Sequence, residues 1–308
     1  MDEPFHSFAS FLKRRFPGGP VRKIAIDAGL PCPNRDGTLS EAGCVFCDAY
    51  GAGPVAARGQ SIECQIEARI ARSPGQRFLA YYQAHCNTHG PAADLRRKYE
   101  VVFRYPEIVG LFIGTRPDAL PQPVLALLAQ TARRTYLCVE LGLQSAHDRS
   151  LEWLQRRHTY AQFLEGFAAL RRLGIDVVVH LIVGIPGETR DDMRATIAAM
   201  NALKPAGVKL HPLHVLRGTE LERRYARGQL PLLGQDEYVE IACDLLERLD
   251  PDIAVHRLAA DREAGLFVAP PWAQRRAAVL EAVRRRLGRN GSRQGANVAR
   301  VDNPVWMM

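Results

Sequence analysis

The sequence predicts an α/β fold, a partial (β/α)6 TIM-type barrel with a small C-terminal α/β extension. Six short apolar runs, at 21–28, 77–83, 109–114, 135–141, 175–183 and 207–211, alternate with helical stretches at 60–72, 92–105, 121–134, 161–173 and 191–202. Continuous apolar strands separated by helices of ten or more residues are βα units on a parallel sheet covered on both faces. Three cysteines follow the first run directly, at the strand end where barrel active sites assemble. A flat doubly wound sheet also accommodates the alternation, and the partial barrel fits it at least as well.

The elements follow in order. Residues 1–20 form an N-terminal helix, around 5–16, ended by Pro17-Gly18-Gly19-Pro20. The first strand runs into a loop rich in Pro, Gly and Cys at 29–54, and the helix at 60–72 is stopped by Ser73-Pro74-Gly75. The core then spans 21–214. After His214 the pattern changes to a helix at 236–249, a strand at 253–258 and an Arg-rich helix at 271–287, which together make a C-terminal extension over 215–287. The stretch 288–308 is polar and glycine-rich, a composition expected to stay disordered without a partner. No internal repeat or linker divides the chain.

Nearly half of the 308 residues are apolar, enough for a substantial core. No apolar run approaches the ~20 residues that span a bilayer, and the start lacks the basic-then-apolar order of a signal peptide, so a soluble cytoplasmic protein is expected. Basic residues outnumber acidic ones 41 to 33, with clusters at Lys13–Arg15 and from Arg275 to Arg293. That excess suits an anionic partner and equally suits a solvated basic surface. Seven cysteines, an odd number, argue for metal ligation or catalysis over a disulfide framework.

Three of them, Cys32, Cys44 and Cys47, are spaced Cys-x11-Cys-x2-Cys. A CxxC pair brings two thiolates to one metal centre, and a third from a longer loop leaves one position open for reaction. Glycines and prolines let backbone N–H groups turn toward the sulfurs. A structural zinc site remains an alternative for the same residues. Cys64, Cys86, Cys138 and Cys243 have no cluster-like spacing, and no second cluster is expected.

The phrase IDAGLPCPNRDGTLSEAGCVFC resembles the cluster loop of the bacterial radical S-adenosylmethionine (SAM) family of YhcC/YtqA-type proteins, which uses this long spacing. The resemblance continues through YYQAHCNTHGP, FIGTRPDAL, VELGLQSAHD, HLIVGIPGET and KLHPLHVLRGTELERRY, and so covers about residues 10–285. A more distant similarity, through TRPD and GLQS, is to the catalytic domain of Elp3-type tRNA-modifying enzymes. The resemblance implies a [4Fe–4S] cluster on Cys32, Cys44 and Cys47. It implies SAM on the open iron, cleaved by one electron to a 5′-deoxyadenosyl radical that abstracts a substrate hydrogen.

It further implies a shell for SAM. Gln83 ends the second strand, where the family meets the SAM amino group. At the third, many relatives carry a carboxylate, but here the run is Gly114-Thr115-Arg116-Pro117-Asp118; the acid is missing, Thr115 falls in the shell, and Arg116 with Asp118 also fits an ion pair. Gln144 matches a ribose contact, and Arg156 (or, one register on, Arg157) matches a partner of the SAM carboxylate. His180 either faces the ribose or is a core histidine. Gly184 lets backbone approach the adenine edge, and Glu188 or Thr189 starts the next helix. His211 and His214, three apart, need not face the same way; each is a candidate substrate ligand or proton donor, and each also fits a structural role. Tyr81, Tyr82, Cys86 and Asn87 lie near the second strand's end.

The implied substrate is tRNA, with processing of a carboxymethylaminomethyl side chain on a wobble uridine, and the implied electron donor is a flavodoxin or ferredoxin. A radical SAM enzyme acting on a small metabolite or protein remains open, as does a zinc-stabilised module without catalysis.

Overall fold

The computed structural model describes residues 3–51, 54–260 and 262–298. Six strands fall where the apolar runs predict: β1 (Val21–Ile26), β2 (Arg77–Tyr82), β3 (Ile108–Thr115), β4 (Tyr136–Gln144), β5 (Asp176–Val183) and β6 (Gly207–Pro212). Beyond them come β7 (Val215–Leu216), β8 (Ala254–Arg257) and β9 (Phe267–Ala269). The main sheet is parallel throughout and seven-stranded, in the order β1-β2-β3-β4-β5-β6-β8. The strand expected inside the extension is therefore the seventh strand of the core sheet, registered with Ala254 beside Gly207 and Arg257 beside Lys209. β7 and β9 form a separate antiparallel pair.

Strand periodicity sorts the side chains. Phe78, Ala80, Tyr82, Leu111, Ile113, Val139, Leu141, Val177 and Val179 face outward into the main core under the helices. The alternate set, Leu79, Tyr81, Phe112, Cys138 and Val178, faces inward. The inward polar residues show that the sheet curls. Neighbouring strands lie about 4.8 Å apart, so in a flat sheet β1 and β4 would stand about 14 Å from each other. Lys23 of β1 nevertheless reaches Glu140 of β4 at 2.7 Å, and Lys209 of β6 lies 3.3 Å from the Tyr81 hydroxyl of β2. Only a concave face permits both contacts, which decides for the half-barrel over the flat sheet.

The N-terminal helix Phe8–Arg15 plugs the lower end of that concavity. Phe8, Leu12 and Phe16 pack on the inward apolar set, and Phe8 meets Phe112 edge-on at 6.3 Å between centroids. Helix starts follow their capping chemistry. Thr189, not Glu188, caps Arg190–Leu203, its side chain accepting from Asp192 N while Asp192 accepts from Thr189 N at 2.8 Å. Two short helices, Asp148–Trp153 and Glu220–Ala226, lie in stretches too brief to show a helical period.

The expectation of disorder from Gly288 is corrected over 288–298. The helix Arg276–Arg289 runs past 287, and Gln294 is buried, donating to the Asp250 and Ile253 carbonyls at 2.7 and 2.8 Å and accepting from His6 N at 2.8 Å. A polar side chain that meets three backbone groups fixes a segment that composition alone would leave loose. Residues 299–308 lie outside the described residues. Among the described residues no helix is long and apolar enough to cross a membrane.

Gly166 sets the distance between the helix Tyr160–Arg172 and the loop after β3, because a Cβ there would lie 2.4 Å from the Pro117 carbonyl oxygen. Gly166→Ala is expected to cost about 1–3 kcal/mol by overpacking, read as a lower urea midpoint.

Candidate active site

The C-terminal ends of the strands open on one cavity, and most of the predicted site residues line it: Cys32, Cys44, Cys47, Gln83, Thr115, Gln144, Arg156, His180, His211 and His214. Gly184 stands apart. Its φ of +86° calls for glycine, and a Cβ there would meet Leu233 at 2.6 Å, so its role in this fold is close packing of the extension.

The cysteine loop is fixed from below. Cys44 is buried, and its sulfur accepts from Asn34 Nδ2 and from Arg156 Nη1, each at 3.3 Å. Burial opposes ionisation of Cys44, but Arg156 and Arg116 outweigh it and hold the thiol below its ordinary value. Burial and the neighbouring Cys44 push Cys47 up to about 12, and burial raises Cys32. All three can be thiolates together only around a positive core, which is what an iron–sulfur cluster offers; the donor set therefore fits such a group. Among the described residues no three His, Cys, Asp or Glu side chains form a ready ligand set for a single ion. A four-iron cluster takes each thiolate on a different iron and does not ask for one.

Arg156 sits between two residues in left-handed conformation, Gln155 at φ +53° and Arg157 at +58°. That local geometry turns its guanidinium inward, where it meets Cys44, the Gly142 carbonyl and His158 Nε2 at 3.2 Å. Arg157 is exposed, so the register favours Arg156. Gln144 follows a register shift in β4, has φ +87°, and leaves its buried Oε1 without a partner. A strained non-glycine residue with an orphaned acceptor at a strand end is the pattern of a ligand contact.

At the third strand, Arg116 and Asp118 form the ion pair, Nε to Oδ1 at 2.9 Å and Nη2 to Oδ2 at 2.7 Å, while Arg116 Nη1 stays buried and unpartnered. A Cβ on Gly114 would approach the Tyr82 carbonyl oxygen to 3.2 Å, tight enough to require a small shift of that neighbour. Thr115 lines the cavity, but its hydroxyl is drawn into a buried group with Thr88 and, at 3.2 Å, Cys86 Sγ. Asn87 donates to the Tyr82, Ala84 and Gly114 carbonyls and ties the second and third strand ends together.

His211 and His214 do converge, with ring centroids 5.9 Å apart. His211 keeps a buried, unpartnered Nδ1, whereas His214 meets the Pro212 carbonyl at 3.0 Å and stacks on Phe267. His180 turns to Glu140 at 2.8 Å. Sequence reasoning placed Tyr81 near a strand end but missed the cluster it joins: Glu140, Lys209, Lys23 and Tyr81 make one polar group inside the barrel. Part of their signal was present, since Lys209 is a lone charge in its strand, whereas Lys23 stands beside Arg22 and does not stand out. A second omission is the buried pair of Arg262 with Asp48, Nε to Oδ2 at 2.8 Å, which ties the extension to the residue after Cys47.

Burial holds His180 down at about 4 and His158 at about 3. Unfolded histidines bind a proton near 6.5 that these folded ones refuse, so the unfolded state takes up more protons between those values. Stability is therefore expected to fall as pH is lowered from about 6.5 to about 4. Urea midpoints across that range check it, and a flat profile would contradict it.

A half-barrel whose first strand leads into three cysteines facing one cavity defines a class, and the comparisons agree. Residues 39–200 match the Radical SAM superfamily and 205–289 the Radical_SAM C-terminal domain, and the chain belongs to that superfamily. Within it the chain stands with the YtqA and YhcC proteins, being 40% identical to YtqA of Bacillus subtilis over 306 residues, 98% of this chain and 95% of that one. A tRNA uridine(34) acetyltransferase of Methanocaldococcus jannaschii is 34% identical over 164 residues, 52% of this chain and 30% of that enzyme. Among solved structures, an N-terminally truncated Elp3 of Methanocaldococcus infernus shares the fold with a TM-score of 0.67 at 18% identity. The match covers 89% of this chain and 64% of that one, so the chain spans less than two thirds of it.

Proposed function

We propose that the chain is a radical SAM enzyme that modifies the side chain of a wobble uridine in tRNA, with Cys32, Cys44 and Cys47 as ligands of a [4Fe–4S] cluster. The observation that carries the reading is Cys44, whose sulfur meets two N–H donors in a cavity wall shared with Cys32 and Cys47. When bound, the cluster and SAM supply hydrogen-atom abstraction by a 5′-deoxyadenosyl radical. Arg156 and Asn34 hold the loop and favour the thiolate at Cys44. Gln144 Oε1 and Arg116 Nη1, both buried and unpartnered, are offered to SAM, with Gln83 beside them on the wall. His211 faces the substrate side with its free Nδ1.

An anionic substrate suits a net charge of +8 and a cavity wall that includes Arg35, Arg257 and Arg262. The similarity to a tRNA uridine(34) acetyltransferase points the same way. A flavodoxin or ferredoxin is the proposed electron source. One observation favours a small substrate instead: the extension contributes Leu216, Ala259 and Ala260 to the cavity wall and partly closes it.

The test is anaerobic incubation with SAM, dithionite and bulk tRNA from cells lacking the gene. The reading expects 5′-deoxyadenosine together with a mass change in a wobble nucleoside. Deoxyadenosine without any nucleoside change would move the assignment to a small substrate, and neither product would contradict the enzyme reading.

A further inference from the structure

This chain is poor in lysine. It has five, Lys13, Lys23, Lys98, Lys204 and Lys209, against 36 arginines, yet two of the five stand inside the barrel on one carboxylate. A guanidinium stays charged at any physiological pH, whereas an ammonium can release its proton. Where the chain uses lysine in the barrel, it has a cation that can be discharged.

The two lysines are not equivalent. Lys23 is matched to Glu140 at 2.7 Å and enclosed by aromatic faces, its Nζ 3.8 Å from the Phe112 centroid and 4.6 Å from those of Phe8 and Tyr81. Lys209 is the second ammonium on the same carboxylate, and it lines the cavity. Glu140 has no exposed side-chain surface and carries one negative charge. When Lys209 is neutral, Lys23 still balances Glu140 and no buried charge is left uncompensated; when Lys209 is protonated, the cluster holds a surplus positive charge. The other acid of these strands, Asp176 at the start of β5, is engaged by the Tyr136 hydroxyl at 2.9 Å. Tyr81 comes from β2, His180 from β5, His211 from β6, and His256 and Arg257 from β8.

We propose that Lys209 is the proton-transfer residue of this cavity, serving a substrate that presents an oxygen or nitrogen beside the reacting carbon. Its ammonium gives a proton to that heteroatom, the electron pair of the broken N–H bond stays on Nζ, and the amine regains a proton from solvent when product leaves. Glu140 and Tyr81 position it. Burial, only partly offset by Glu140, brings the Lys209 pKa down to about 7, where both forms are populated at neutral pH. The catalytic use rests on reading the cavity as a radical SAM active site; the protonation behaviour belongs to the chain itself.

The experiment labels the full chain biosynthetically with [ε-13C]lysine, giving five resonances to follow by NMR against pH. One is expected to titrate near neutrality and to be missing in Lys209→Met. In Glu140→Gln, or in Tyr81→Phe if that variant does not fold, the midpoint is expected to move, downward for the loss of the carboxylate. A Lys209 resonance that stays charged to pH 9 overturns the proposal whether or not the chain cleaves SAM. The second readout is product formation by Lys209→Arg, which keeps the cation but not the labile proton. A fall of about 100-fold with unchanged thermal stability supports proton transfer. Wild-type turnover with an unchanged pH profile would show that charge alone suffices and overturns it.

Discussion

Glu140→Ala is expected to destabilise the chain by about 3–5 kcal/mol, the largest effect of any single change inside the barrel. Its carboxylate accepts from Lys23, Lys209 and His180, and its side chain has no exposed surface. Removing it leaves the half-buried Lys23 without its counter-ion and drives Lys209 toward its neutral form, a penalty added to the loss of the contacts themselves. The sign is tested by the triple change Glu140→Leu, Lys23→Met, Lys209→Met, which removes all three charges and should recover most of the loss in urea denaturation. A single variant as stable as wild type would show that the cluster is solvated. The pH dependence has a definite sign. Burial raises the Glu140 carboxyl, but Lys209 and Lys23 outweigh it and hold it well below the ordinary range. Its contribution is therefore complete above the ordinary glutamate pKa and is lost as pH falls below that value.

Arg262→Met is expected to loosen the cysteine loop at a cost of about 3–5 kcal/mol. Arg262 and Asp48 are 5% and 1% exposed, and Asp48 also accepts from Tyr50 N at 2.8 Å, so the carboxylate organises the turn that follows Cys47. Without the guanidinium that carboxylate is buried and unmatched. A second tie, from Val55 N to Glu263 at 2.9 Å, lies on the same side and limits the opening to the loop. Hydrogen exchange should accelerate over 44–51 while the β2–β5 amides stay protected, and iron should be lost faster to a chelator after reconstitution. Unchanged exchange over 44–51 would mean that the extension merely lies against the loop.

The two predictions mark what the sequence could and could not disclose. The cysteine loop was legible because its information is local: three thiols, glycines and prolines within one stretch after a strand. The α/β alternation was legible for the same reason, since each apolar run carries its own period. The Glu140 cluster was not, because its members come from β1, β2, β4, β5 and β6 and meet only once the sheet curls. Its clearest trace was the charge at Lys209, in a strand that buries nearly every side chain, whereas Lys23 stands beside the exposed Arg22. Gly184 shows a related ambiguity: a positive φ and a packed Leu233 call for the same glycine as a cofactor contact does. Arg156 was suggested by the resemblance, but the partners it meets depend on two left-handed neighbours that no periodicity reveals.

The cluster assignment is tested most directly by anaerobic reconstitution of wild type beside Cys32→Ser, Cys44→Ser and Cys47→Ser, with iron and sulfide counted per chain and EPR recorded on the reduced protein. The account predicts a brown wild-type protein with about four irons and a [4Fe–4S]⁺ signal, and the loss of both in each variant. A colourless, zinc-loaded wild type, or a variant that keeps its full cluster, would contradict it.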